Sequence, residues 1–168
     1  MNTQDDITPP KPGEQQAQRP TKRLLRVAVI DDNLPDLLLA RTVFDSVEEK
    51  VMVETYESGA SALQALRQPD MDLPDVILLD INMPIMTGFE VLQILKADLG
   101  LKTIPVVMLA TSELQKDVDQ AYSLYASSYM VKSIDFSNFL EQVESFIRFW
   151  NASRLSGRSY VRRSPPTM

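Results

Sequence analysis

The sequence predicts an α/β protein built on a doubly wound, five-stranded parallel sheet. Three observations predict it. Five short apolar runs alternate with five helix-patterned segments between residues 24 and 150. The first, third and fourth runs are apolar throughout, as strands covered on both faces are. Parallel strands need long crossovers, and each gap has room for one helix.

Each element has a local reason. Leu24–Ile30 is the first apolar run and ends in Asp31-Asp32. Asn33 can cap a helix that Pro35 helps to start, with Leu38, Ala40, Arg41 and Phe44 in its body. Val51–Tyr56 is the second strand, and Ser58–Gln68 is a helix with Leu63 and Leu66 inward. Asp75–Leu79 is the third strand. Thr87–Leu99 is the third helix, stopped by Gly100. Ile104–Leu109 is the fourth strand, and Ser112-Glu-Leu-Gln115 has the form of a capping box for the fourth helix. Ser128–Val131 is a short fifth strand, and Asp135 to about Trp150 the fifth helix. Residues 1–22 carry four prolines and few aliphatics, which predicts a flexible arm. Residues 151–168 carry four arginines and no acid. They read either as a solvated tail or as a docking segment for an acidic partner or a second subunit.

Composition removes several function classes. The 168 residues include no cysteine and no histidine. Disulfides, thiolate or imidazole metal sites and histidine-based triads are excluded, so a bound metal must be a hard cation held by oxygen. A net charge of −6 argues against nucleic acid as a partner. No apolar run is long enough to span a membrane and no signal peptide is visible, which makes a cytoplasmic protein the expectation.

The candidate site lies where apolar strands meet charge. Asp31 and Asp32 end the first strand and Asp80 ends the third, inside the stretch VILLDINMPIMTG. Parallel strands bring these ends to one rim. If the two strands are neighbours, three carboxylates crowd together. Like charges ~4 Å apart repel by roughly 4 kcal/mol at an effective dielectric near 20. A divalent cation relieves this, and carboxylates with a backbone carbonyl and water suit Mg²⁺. Lys132, at the end of the fifth strand, reaches the same rim. A lysine and Mg²⁺ beside one carboxylate suit a phosphoryl group, with Asp80 as nucleophile. Taken singly, Asp31, Asp32 and Asn33 read equally well as a helix cap, Asp80 as a turn residue ahead of Pro84, and Lys132 as a surface lysine.

At these residues the sequence resembles the receiver domain of two-component response regulators. The resemblance spans roughly residues 24–150 and rests on VIDDN at 29–33, LLDINMPIMTG at 78–88, PVVML at 105–109 and YMVK at 129–132. It implies a flavodoxin-like (βα)₅ receiver over residues 23–150, with strand order 2-1-3-4-5. It implies a phosphoacceptor protein rather than an enzyme: Asp80 takes a phosphoryl group from the histidine of a sensor kinase. Mg²⁺ would sit on Asp32, Asp80 and the carbonyl of Asn82, with Asp31 reached through water. Lys132 would pair with the acceptor carboxylate or the phosphoryl oxygens, and no small-molecule substrate is implied.

Two departures stand out. The family usually has Thr or Ser at the end of the fourth strand, where this chain has Ala110. The Ala110 backbone and Thr111 are then the candidate contacts to the phosphoryl oxygens beside Lys132, although the side chains of Thr111 and Ser112 should point elsewhere and Ser112 is taken up as a cap. Phosphorylation remains possible, but the usual Thr–Tyr switch, here Tyr129, is weakened or rerouted. After Lys132 the family commonly has proline; here it is Ser133, so this loop is either trans or strained. Lys132-Ser133 with a fifth helix ending Phe149-Trp150 is similar to stand-alone regulators of phytochrome-type kinases.

The fifth helix reads as two stripes. Phe136, Leu140, Val143 and Ile147 would lie on the sheet, and Phe139, Phe146, Phe149 and Trp150 would face outward. With Leu114, Val118, Tyr122 and Tyr125 of the fourth helix, the outward set suggests a two-fold dimer through helices four and five, or through helix five and the basic tail. The alternative is a deeper core within one chain. No segment long enough for a DNA-binding domain follows, so the expected output is a protein contact. Two rivals stay open: a degenerate receiver that only binds, and an aspartate-nucleophile phosphatase, for which Asn82 is a poor acid.

Overall fold

The computed structural model of the protein describes residues 24–49 and 51–153. The predicted arm at 1–22, and the basic tail from 154 onward, lie outside the described residues. The order of elements is β1 (Leu25–Ile30), α1 (Leu34–Ser46), β2 (Val51–Tyr56), α2 (Gly59–Leu66), β3 (Val76–Asp80), α3 (Gly88–Ala97), β4 (Val106–Ala110), α4 (Gln115–Ser123), β5 (Ser128–Val131) and α5 (Phe136–Ala152). The sheet is parallel throughout, in the order β2-β1-β3-β4-β5.

The uninterrupted apolar strands are the central ones. Every residue of β3 and β4 is buried, while β5 is half-buried and β2 is half-buried apart from the exposed Met52, these two being the edges. Alternate side chains of β1 and β3 enter two separate cores. Ala28, Ile30, Ile77 and Leu79 pack with Ala62, Leu63, Val91, Leu92 and Ala121 under α2, α3 and α4. Val27, Val29, Val76 and Leu78 pack with Leu37, Val43, Phe44, Phe139 and Ile147 under α1 and α5. This two-sided burial requires the strands to be greasy on both faces.

α1 begins as predicted: the Asn33 side chain accepts the Asp36 N–H at 3.2 Å, and Pro35 sits in the first turn. The capping boxes differ from expectation. α4 starts at Gln115, and Leu114 before it makes no side-chain cap bond. Ser112 instead sits in the loop, where its carbonyl accepts the Tyr129 hydroxyl at 3.0 Å and its Oγ accepts the Leu114 N–H at 3.4 Å. The complete capping box belongs to α3, between Thr87 and Glu90. α3 ends at Ala97, before Gly100, whose N–H is held by the Asp98 carboxylate at 2.8 Å.

The two stripes assigned to α5 are also corrected. Phe139, Val143, Phe146 and Ile147 form one buried stripe, while Phe136 and Phe149 are exposed. Phe146 has a place in the core because Phe44 of α1 meets it edge-on, with centroids 6.2 Å apart at 84°. Phe139 and Phe146 are therefore core residues, unavailable to a second subunit. Trp150 is half-buried, in ring contact with both Phe146 and Phe149. Around α4, Leu114 before the helix, Tyr122 within it and Tyr125 after it are exposed, and Val118 is half-buried.

Candidate functional site

β1 and β3 are hydrogen-bonded neighbours, so their carboxyl ends open onto one crevice. Open α/β sheets place their sites there, where the strand order reverses. Carboxylate oxygens of Asp31, Asp32 and Asp80 all lie within 4.8 Å of one another. Asp31 and Asp80 are buried and Asp32 is exposed.

The loop after β3 explains its own sequence. A Cβ on Gly88 would stand 2.1 Å from the carbonyl oxygen of Asp80, so only glycine lets α3 start this close to the strand end. The Gly88 N–H closes the loop onto the Ile81 carbonyl at 2.9 Å. Within it, Met86 N–H bonds the Pro84 carbonyl at 2.7 Å around Ile85, whose φ is 67°. That conformation is costly for a β-branched side chain, and this one points fully into solvent beside the crevice. Asn82, two residues past Asp80, is exposed.

The crevice carboxylates are not equally satisfied. Asp31 is held at both oxygens: Oδ1 accepts the Asn33 N–H at 2.9 Å and Oδ2 accepts Lys132 Nζ at 2.8 Å. Lys132 makes a second ion pair, at 2.8 Å, with Asp36 in the first turn of α1. Of the two partners expected for Lys132, the Asp80 carboxylate is therefore replaced by Asp31 and Asp36. Burial alone would lower the pKa of the Lys132 ammonium, but the hydrogen bonds to Asp31 and Asp36 outweigh it and the net shift is upward.

Asp80 is the group left over. Among the described residues no hydrogen-bond donor reaches its carboxylate, which feels Lys132 only through space. Burial first, and then the Asp31 charge, push its pKa up to about 7. A buried carboxylate without a donor is costly as an anion, and protonation or a cation is what relieves it. The Asp31–Asp32–Asp80 cluster supplies the hard oxygen ligands a divalent cation takes.

The remaining predicted residues sit as follows. Ala110, at the end of β4, is buried and uses its carbonyl to accept the Lys132 N–H at 2.7 Å. Thr111 is exposed. Tyr129, half-buried on the edge strand β5, is tied through its hydroxyl to the β4–α4 loop. Among the described residues every peptide bond is trans, including the one before Ser133. Two participants escaped sequence reasoning. Asp36 carried one signal, an acid in the first turn of a capped helix beside the Asp31-Asp32 doublet. Gln142 of α5, whose side chain bonds both Ser133 and Val131, carried none.

A five-stranded 2-1-3-4-5 sheet with an acid cluster at its switch point, facing a lysine from β5, defines a receiver of the response-regulator kind. The chain belongs to the response regulator receiver domain family, whose match covers residues 27–144. It is 32% identical over 127 residues to the probable methanogenesis regulatory protein FilR2 of Methanothrix harundinacea, over 74% of this chain and 82% of that one. It is 30% identical over 130 residues to response regulator Rcp1 of Synechocystis sp., over 74% and 87% of the two chains. Among solved structures, the phosphorylated cyanobacterial phytochrome response regulator RcpA aligns with a TM-score of 0.73 at 32% identity, over 79% of this chain and 97% of that one. The Mn²⁺-bound form of Rcp1 aligns with a TM-score of 0.71 at 29% identity, over 79% and 99%. Among the described residues no helix is long and apolar enough to cross a membrane.

Proposed function

We propose that this response regulator accepts a phosphoryl group on Asp80 from a phosphohistidine of a sensor kinase. The observation that carries the reading is the state of Asp80: buried, without a donor, and crowded by Asp31 and Asp32. An Asp80 oxygen attacks phosphorus, a P–O bond forms as the P–N bond breaks, and the donor imidazole leaves with the electron pair. The attacking carboxylate must be ionised. Asp32, Asp80, the Asn82 carbonyl and, through water, Asp31 would hold Mg²⁺, which supplies the positive charge that keeps Asp80 ionised and neutralises phosphoryl oxygens. Lys132, anchored on Asp31 and Asp36 beside the crevice, offers its remaining N–H to an incoming phosphoryl oxygen. The Ala110 peptide and Thr111 would contact the phosphoryl oxygens from the end of β4. The chain acts only on its own acyl phosphate and turns over no small-molecule substrate.

The kinase is of the phytochrome type on this reading, supported by the likeness to Rcp1 and RcpA. The protein works in the cytoplasm as a receiver that ends with α5 at Ala152, flanked by residues 1–22 and by the arginine-bearing residues 154–168. Its output is a changed protein contact, with Tyr129 and the β4–α4 loop as the moving part. A second copy is the first such partner, across Leu114, Val118, Tyr122, Phe149 and Trp150. Phe149→Asp is expected to shift the sedimentation of the full chain to that of a monomer; an unchanged profile removes Phe149 from the interface.

The deciding experiment incubates the full chain with acetyl phosphate and MgCl₂ and reads intact mass. One phosphoryl group is expected on the natural chain and none on Asp80→Asn. An unchanged mass in both favours the second reading, a receiver that binds without switching, for which the methyl of Ala110 at the usual hydroxyl position is the specific support. Turnover of a phosphomonoester by the chain would instead revive the phosphatase.

A further inference from the structure

β5 is an edge strand, and Lys132 leaves it at the crevice. The Lys132 N–H points inward, to the Ala110 carbonyl on β4 at 2.7 Å. In an extended strand neighbouring residues turn their peptide groups to opposite sides. The Val131 carbonyl and the Ser133 N–H therefore face the open edge, where a sixth strand would pair; among the described residues none does. One side chain takes its place. Gln142 Nε2 donates to the Val131 carbonyl at 2.8 Å, and Gln142 Oε1 accepts the Ser133 N–H at 3.1 Å. A flipped amide would set N–H against N–H and oxygen against oxygen, so only one orientation of Gln142 fits.

The clamp has a firm base. Gln142 lies on α5 next to Val143, and Phe139, Val143, Phe146 and Ile147 root that helix in the core. The Asp135 carboxylate caps the helix through the Asn138 N–H at 3.0 Å, so only residues 132–135 connect β5 to it. The amide thus grips the backbone on both sides of Lys132 from a helix that cannot shift alone.

We propose that Gln142 is a positioning residue for Lys132, standing in for the peptide of a missing strand and fixing the backbone from which the ammonium reaches Asp31 and Asp36. Its effect on phosphoryl uptake rests on the function proposed above; its effect on Lys132 does not. Gln142 also lines a surface groove of about 580 Å³ with Met130, Ser133, Asn138, Glu141 and Ser145.

The test uses the full ¹⁵N-labelled chain and two variants. Gln142→Met keeps length and removes both hydrogen bonds; Gln142→Glu keeps the acceptor for Ser133 and removes the donor to Val131. Two readouts are taken: the exchange-protected Lys132 ammonium resonance, and the rate of phosphoryl uptake from acetyl phosphate with MgCl₂. A Gln142→Met chain whose amide spectrum is unchanged away from the β5–α5 connection is expected to lose the ammonium resonance. Its uptake is expected to slow about ten-fold or more, since small displacements of a group that contacts the reacting atoms cost this much. Gln142→Glu is expected to fall between, and Ser145→Ala, exposed on the same helix, to match the natural chain. A folded Gln142→Met with both readouts unmoved overturns the proposal, and where Gln142→Met does not fold, an unmoved Gln142→Glu overturns it. Loss of the resonance in Gln142→Met, with no uptake by the natural chain, upholds the clamp and refutes the phosphoacceptor function instead.

Discussion

Two charged clusters stand at opposite ends of the same sheet, and only one is complete. At the amino end, Arg26 of β1 reaches Glu54 of β2 at 3.0 Å and Asp72 at 3.3 Å, while its N–H donates to the Asp75 carboxylate at 2.9 Å. The Asp75 N–H returns to the Arg26 carbonyl at 2.8 Å, and the Tyr56 hydroxyl donates to the second Glu54 oxygen at 2.9 Å. Each acid there has a donor. At the carboxyl end, among the described residues, a single lysine serves Asp31 and Asp36, and Asp80 is left without a donor. A closed network joins strands; an open one is a site, because its shortfall of positive charge is what a ligand can supply.

The largest test of this contrast removes Lys132 from the rim. Lys132 and Asp31 are both nearly buried, with side chains 11% and 4% exposed. Lys132→Met leaves Asp31 uncompensated and is expected to destabilise the metal-free chain by about 3 kcal/mol, the scale of breaking a buried pair from one side. Urea unfolding in chelator measures it, and MgCl₂ is expected to restore part of the loss. A cost below about 1 kcal/mol would mean that water reaches the crevice freely.

Adding the cation without mutation comes next. A ligand that binds only the folded chain stabilises it by about 2.7 kcal/mol at one hundred times its dissociation constant. The urea midpoint of the natural chain is expected to rise with MgCl₂ to that extent. Asp32→Ala, which removes the exposed member of the cluster, is expected to abolish the rise.

The pH response follows from Asp80. Its pKa stands near 7 in the folded chain and at the ordinary carboxylate value, about 4, in the unfolded one. Between these values the folded state binds more protons, so the stability of the metal-free chain falls as pH rises from about 4 through 7 and then levels. Unfolding titrated in chelator is expected to show this fall and Asp80→Asn to lack it. With MgCl₂ the fall disappears, because a cation favours the carboxylate at every pH in the window. A stability that rises from pH 4 to 7 in all three samples would place the dominant titration elsewhere.

How much of this was legible in the sequence depends on where each residue's partner lies. The uninterrupted apolar runs at 76–79 and 106–109 announced central parallel strands, and the charge at the end of such a run announced Asp80. These are local signals. Lys132 was placed at the rim by the length of β5, but its partner Asp36 lies 96 residues away, and sequence spacing says nothing about that distance. The faces of α5 were divided wrongly because Phe146 is matched to Phe44 on another helix. The cap assigned to Ser112 failed for a similar reason, since the Tyr129 hydroxyl draws its carbonyl into the loop. Gln142 was invisible because the groups it satisfies exist only once β5 is known to be an edge.

The smallest expected effect returns to the closed cluster. Glu54 and Asp72 have side chains 34% and 46% exposed, so both can be rehydrated when their partner goes. Arg26→Met keeps the apolar stem packed beside β2 and removes only the guanidinium. The expected cost is about 1 kcal/mol, the upper end for partly exposed ion pairs. This loss is expected to be the same with and without MgCl₂, with phosphoryl uptake on Asp80 unchanged. Urea unfolding at two metal concentrations decides the point: a loss that MgCl₂ repaired would mean that the two ends of the sheet are energetically coupled through β1, and the division into a structural cluster and a site would have to be abandoned.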